Sequence, residues 1–79
     1  MQNNLEHIEK ELSSRIEALY VQKFAGNKSA FARAVDCRES TIRRIFKNEQ
    51  SITFNLLVRI AHALDIEISE LVKGLSLPK

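Results

Sequence analysis

The sequence predicts a compact, all-α fold of five helices, on three observations. Only two glycines and one proline interrupt 79 residues that are otherwise rich in Ala, Leu, Glu, Lys and Arg, residues that favour helix over strand. Apolar residues recur at spacings of three and four along most of the chain, the period of one helix face. Asn, Asp or Thr sits at the ends of these stretches, where short polar side chains cap or stop a helix. The composition, 44% hydrophobic with a net charge of +2, is that of a folded chain and gives room for one domain.

The first helix is expected from about Asn4 to Phe24, with Leu5, Ile8, Leu12, Ile16 and Leu19 as its apolar stripe and Asn3 or Asn4 as its cap. Ala25, Gly26 and Asn27 end it, and Asn27 caps a short second helix, Lys28 to Val35, whose inward residues are Phe31, Ala34 and Val35. After a break at Asp36, Cys37 and Arg38, a third helix runs from Glu39 to about Lys47. Its residues Ile42, Ile45 and Phe46 fall on one side, and a turn of about 100° per residue puts Ser40, Arg44 and Lys47 opposite, with Arg43 on the flank. Thr53 caps a fourth helix, Phe54 to Leu64, expected to bury Phe54, Leu57, Val58, Ala61 and Leu64. Asp65 ends it, and Ile68, Leu71 and Val72 form a short fifth helix stopped at Gly74. The expected organisation is one domain over residues 1–79, with 1–13 an N-terminal extension of the first helix, 28–47 a pair of helices joined by a turn, and 75–79 a loose tail.

Charge is not evenly spread. Residues 28–47 carry Lys28, Arg33, Arg38, Arg43, Arg44 and Lys47 against Asp36 and Glu39, a net +4, while the flanking thirds are each −1. A basic segment clustered in this way is the footprint of a polyanion binder, or else one solvated helix face. Metal chemistry lacks support, since Cys37, His7 and His62 have no ligand spacing and neither histidine has a carboxylate partner in evident reach. No stretch approaches the roughly 20 apolar residues of a membrane span, and the start Met-Gln-Asn-Asn is not a leader, so a cytoplasmic protein with a reduced, small buried thiol at Cys37 is expected. A chain this short, without a nucleophile and base constellation, has little room for a catalytic pocket of about 300 Å³. No enzyme activity, cofactor or small-molecule ligand is expected.

Two short helices joined by a three-residue turn, the second presenting Ser and Arg away from its apolar stripe, suit a reader of the DNA major groove. The run from Lys28 to Val72 resembles the helix-turn-helix family of phage Cro and repressor proteins, also called the xenobiotic response element family. Phe31-Ala32, Ser40-Thr41-Ile42, Arg59-Ile60-Ala61 and Ala63-Leu64 are its most specific pieces. The resemblance implies a lambda repressor-like DNA-binding fold, usually homodimeric. Matched position by position, it implies that Glu39, Ser40 and Arg44 reach base edges, and that Lys28, Arg38, Arg43, Lys47 and Asn48 lie at the sugar-phosphate backbone. The chemistry agrees for Arg44, whose guanidinium can donate two bonds to guanine, and for Ser40, which can meet any base. Glu39 can accept from cytosine or simply pair with Arg43 four residues on.

Departures from the family pattern carry expectations of their own. Glycines common in relatives are replaced by Asp36, Asn48 and Asp65, the residue types that best tolerate a positive φ. An Arg and Glu that many relatives pair between the first and third helices are replaced by Tyr20 and Phe46, so an aromatic contact is expected to hold the third helix. Arg38 stands where a Ser or Thr usually caps that helix and cannot accept an amide bond. The implied function is a sequence-specific, double-stranded DNA-binding transcriptional regulator, a homodimeric repressor of a palindromic operator. The alternative is a protein-interaction or antitoxin-like module. For the dimer face, two surfaces compete: the stripe Leu5, Ile8, Leu12, and the fifth helix with Leu75 and Leu77.

Overall fold

The structure is a computed structural model that describes residues 3–75, with side chains described from His7 onward. The tail 76–79, Leu77 included, and the caps expected at Asn3 or Asn4 lie outside what is described. Five helices follow in order: α1 Asn3–Phe24, α2 Lys28–Val35, α3 Glu39–Phe46, α4 Phe54–Ala63 and α5 Ile68–Leu71. Helix α1 has 22 residues, about 33 Å at 1.5 Å per residue, and so accounts for most of the 37 Å long axis of the molecule. Helix α2 packs on α3 and α4, α1 lies across α2, α3 and α5, and α5 closes on α4.

The core lies where these helices meet. Ile16 and Tyr20 of α1, Phe31 and Val35 of α2, Ile42 and Ile45 of α3, Ile60 of α4 and Leu71 of α5 are all essentially removed from solvent. Leu12 is also buried, so this part of the N-terminal stripe belongs to the core and is not available to a second subunit. Ile8 is half-buried.

Three expectations about facing need correction. In α2 the small inward residue is Ala32, and Ala34 is exposed. In α4 the buried face is Leu56, Ile60 and Ala61, followed by Leu64. Phe54 and Val58, expected inside, are 74% and 39% exposed. The cause is phase: α4 is apolar around most of its circumference, and a buried face centred on Leu56, Ile60 and Leu64 turns Phe54 and Val58 outward. His7, exposed, does have a carboxylate within reach, Glu11 one turn on at 3.8 Å.

The helix ends show how the sequence directs the chain. Asn27 Oδ1 accepts from the amide of Ala30 at 3.0 Å, and Thr53 Oγ1 from Leu56 at 3.1 Å, two N-caps as expected. Asp36, Asn48 and Asp65 take φ of 67°, 60° and 57°. Each sits just past a helix and closes it with the same pair of bonds. The amides of Cys37, Glu49 and Ile66 reach back to Ala32, Arg44 and Ala61, and those of Asp36, Asn48 and Asp65 to Arg33, Ile45 and His62. This is the Schellman closure, which usually takes glycine at the left-handed position. Ala25 shares that conformation, with φ of 53°, without the side-chain oxygen that makes Asp and Asn tolerant of it.

Candidate nucleic-acid interface

The third helix separates two chemistries on its two sides. Ile42 and Ile45 are 1% and 2% exposed and face the core, with Phe46 half-buried beside them. Arg43, Arg44, Lys47 and Asn48 are exposed, while Glu39, Ser40 and Thr41 are half-buried at the start of the helix. Six of the expected contact residues, Glu39, Ser40, Arg43, Arg44, Lys47 and Asn48, therefore share one helix and its C-terminal turn.

Two of the six are already engaged. Arg43 Nη1 donates to Glu39 Oε2 at 2.9 Å, the pairing of residues one turn apart that the sequence left open against base contact. On an exposed surface such a pair is worth only about 0.3–0.5 kcal/mol, so a phosphate or a base edge can displace it. Arg38 precedes the helix in an extended conformation, φ −81° and ψ 151°, and makes no side-chain cap bond. Its side chain is exposed. Lys28, half-buried at the first position of α2, has its Nζ 5.9 Å from the centroid of the Tyr20 ring, a cation–π distance.

Below this surface the third helix is held by contacts that its own sequence does not reveal. The Tyr20 and Phe46 rings lie 5.1 Å apart at 37°, the aromatic brace expected in place of an ion pair. Tyr20 also meets Phe31 at 5.1 Å and donates its hydroxyl to the carbonyl of Gly26 at 2.6 Å. Ser13, 4% exposed, donates from Oγ to the carbonyl of Ile45 at 2.9 Å, tying α1 to the last turn of α3. Arg59 of α4 donates from Nη1 to the carbonyl of Asp36 at 2.7 Å and also reaches that of Val35. It thereby pins the turn between α2 and α3, although its buried Nε has no partner in the structure. Ser13 had a faint sequence signal, since positions 13, 16 and 20 share one helix face. Arg59 had none.

A family model for the helix-turn-helix of Cro/C1 type matches residues 22–71, which include both paired helices and the closing helices α4 and α5. The chain belongs to this helix-turn-helix family. No curated protein and no solved structure matches it. Residues Leu12, Ser13, Ile16 and Tyr20, which hold the helix-turn-helix from below, lie ahead of the matched segment.

The turn of the helix-turn-helix holds Cys37, half-buried. Burial pushes its thiol above the ordinary value, with Arg59 opposing and Asp36 reinforcing the shift, so at neutral pH it is a protonated thiol filling the turn. No group of three or more metal-ligating side chains occurs among the described residues, and none of their helices is long and apolar enough to cross a membrane.

Proposed function

We propose that the protein is a sequence-specific, double-stranded DNA-binding transcriptional regulator, a homodimeric repressor that reads a palindromic operator through the major groove. The observation that carries this reading is the division of α3. Its isoleucines are buried, its exposed side displays Arg43, Arg44 and Lys47, and it forms the second half of a helix-turn-helix. In this reading Arg44 donates to guanine O6 and N7, Ser40 meets a neighbouring base, and Glu39 exchanges Arg43 for cytosine N4. Lys28, Arg38, Arg43, Lys47 and Asn48 hold the sugar-phosphate backbone, Lys28 with help from the amides at the start of α2. Because the third helix is braced by Tyr20, Ser13 and the Arg59 clamp, its side chains meet the groove as a rigid set.

Selection of binding sites from random duplex DNA, repeated at low and high salt, tests the proposal. Recovery of a two-fold motif whose half-sites lie one helical turn apart, with affinity falling steeply as added salt lowers the entropy gained by counterion release, is the expected result. No enrichment at either salt, from protein shown to be folded, would move the reading to a protein-interaction or antitoxin-like module.

A further inference from the structure

Between α1 and α5 the fold leaves an open groove of about 440 Å³, lined by Ala18, Leu19, Ile66 and Leu71 with Arg15 and Lys73 beside them. Leu71 is in the core, but Leu19 and Ile66 are only half-buried and Ala18 is exposed, so a further apolar side chain laid here would gain by leaving water. Helix α5 itself has four residues, too few to be held by its own hydrogen bonds. Arg15 holds it from α1. Its Nη1 donates to the carbonyl of Leu71 at 3.0 Å and to that of Lys73, acceptors that a helix end leaves free, and its Nη2 lies 3.4 Å from Glu11 Oε2.

The same arginine fixes where the chain goes next. Gly74 takes φ of 81°, and the place a Cβ would occupy on it is 3.6 Å from Arg15 Nη2. The amide of Leu75 then donates to the carbonyl of Val72 at 3.1 Å, and the Leu75 side chain packs half-buried on the core. At Leu75 the chain is therefore still against the body of the protein, next to the groove that Leu71 and Lys73 line. The sequence continues Ser76-Leu77-Pro78. A residue before proline is driven to extended backbone, and in an extended segment residues two apart face one side, about 7 Å from each other. Such a segment would carry Leu77 to the side that Leu75 already faces. We propose that residues 75–77 form a strap that folds onto the groove between α1 and α5 and seats the Leu77 side chain against Leu19 and Ile66. Tethering favours this occupant over a separate molecule. A side chain two residues from the groove is present at an effective concentration on the order of millimolar, so a contact too small to hold a free partner suffices. The strap closes α5 on α1, the helix that carries Ser13 and Tyr20 beneath α3, and any partner of the groove has to displace it. The inference is independent of the DNA-reading function proposed above.

Nuclear Overhauser contacts between methyl groups of the full chain test the strap. The Leu77 methyls are expected to show contacts to those of Leu19 and Ile66. In a mixture of isotope-labelled and unlabelled chains these contacts are expected within one chain and not between two. Leu77→Ser is expected to shift the Leu19 and Ile66 methyl signals and to lower the thermal midpoint by about 4–8 °C, and Leu77→Met to restore the midpoint. Both variants are expected to fold, because the buried core described above contains no residue beyond Leu71. Absence of contacts from Leu77 to both residues would overturn the inference, as would an unchanged midpoint in Leu77→Ser. Contacts found only between chains would overturn it too, and would assign the groove to a second copy.

Discussion

If Tyr20 and Phe46 replace an ion pair in holding α3, the two rings must be energetically coupled, and a double-mutant cycle measures that coupling. Leucine is the replacement of choice at both positions, because a domain of this size has only about 3–5 kcal/mol to lose and alanine at a fully buried tyrosine would exceed it. Tyr20→Leu removes the hydroxyl bond to Gly26, about 1 kcal/mol, and ring contacts to Phe31 and Phe46 at 5.1 Å each. With a modest packing loss the total is about 2–4 kcal/mol. Phe46, half-buried, keeps part of its contact with the core as leucine, and Phe46→Leu is expected to cost about 1–2 kcal/mol. The double variant should fall short of the sum by about 0.5–1.5 kcal/mol, the worth of one tilted aromatic pair. Urea unfolding followed by circular dichroism at a common temperature, with unchanged m-values, is the assay. Additivity to within about 0.3 kcal/mol would refute the brace, because residues without mutual contact behave that way.

Other predictions follow from single side chains. Arg38→Ser supplies the missing cap of α3 and should raise stability by about 1 kcal/mol. The same change should weaken binding to all DNA sequences alike and reduce the salt slope by about one phosphate, so thermal melts and salt titrations should move in opposite directions. Cys37, with its thiol pushed above 9.0 by burial, is protonated more readily in the folded state than in the unfolded one. The stability this contributes is fully present below the ordinary thiol pKa and lost as pH rises through the folded one. Relative to Cys37→Ala, the parent chain should therefore lose stability above about pH 9, and alkylation of the folded protein at pH 8 should be slower than that of the unfolded chain.

The parts of this architecture that were legible in the sequence are those encoded by residue types with one strong preference. Asp36, Asn48 and Asp65 marked left-handed helix ends because few other non-glycine residues go there, and Asn27 and Thr53 marked helix starts for a matching reason. The aromatic brace was legible because Tyr20 and Phe46 stood together where relatives place a charge pair. Facing was harder where the pattern was degenerate. Alanine is indifferent to burial, so Ala32 and Ala34 were interchangeable in α2. In α4 the apolar circumference leaves the phase open, and Phe54 and Val58 face outward although the spacing suits them to the core. The left-handed Ala25 carried no residue-level signal. The clamps from Ser13 to Ile45 and from Arg59 to Asp36 join positions 32 and 23 residues apart, and no local preference encodes a bond between distant segments. Helical period alone places Ser40, Arg44 and Lys47 opposite the isoleucines, and in the structure Arg44 and Lys47 are exposed and Ser40 half-buried. The pairing of Arg43 with Glu39 was legible only as one of two options.

In the proposed function Arg44, presented by a braced α3, reads a base directly. The measurement that tests it most directly is the affinity of Arg44→Ala and of the parent chain for the selected half-site and for each of its single-base variants, at one salt concentration. A loss of about 1–3 kcal/mol on the selected sequence is expected, with discrimination relaxed at a single guanine and preserved elsewhere. An equal loss on every sequence would contradict it and reduce Arg44 to a backbone contact.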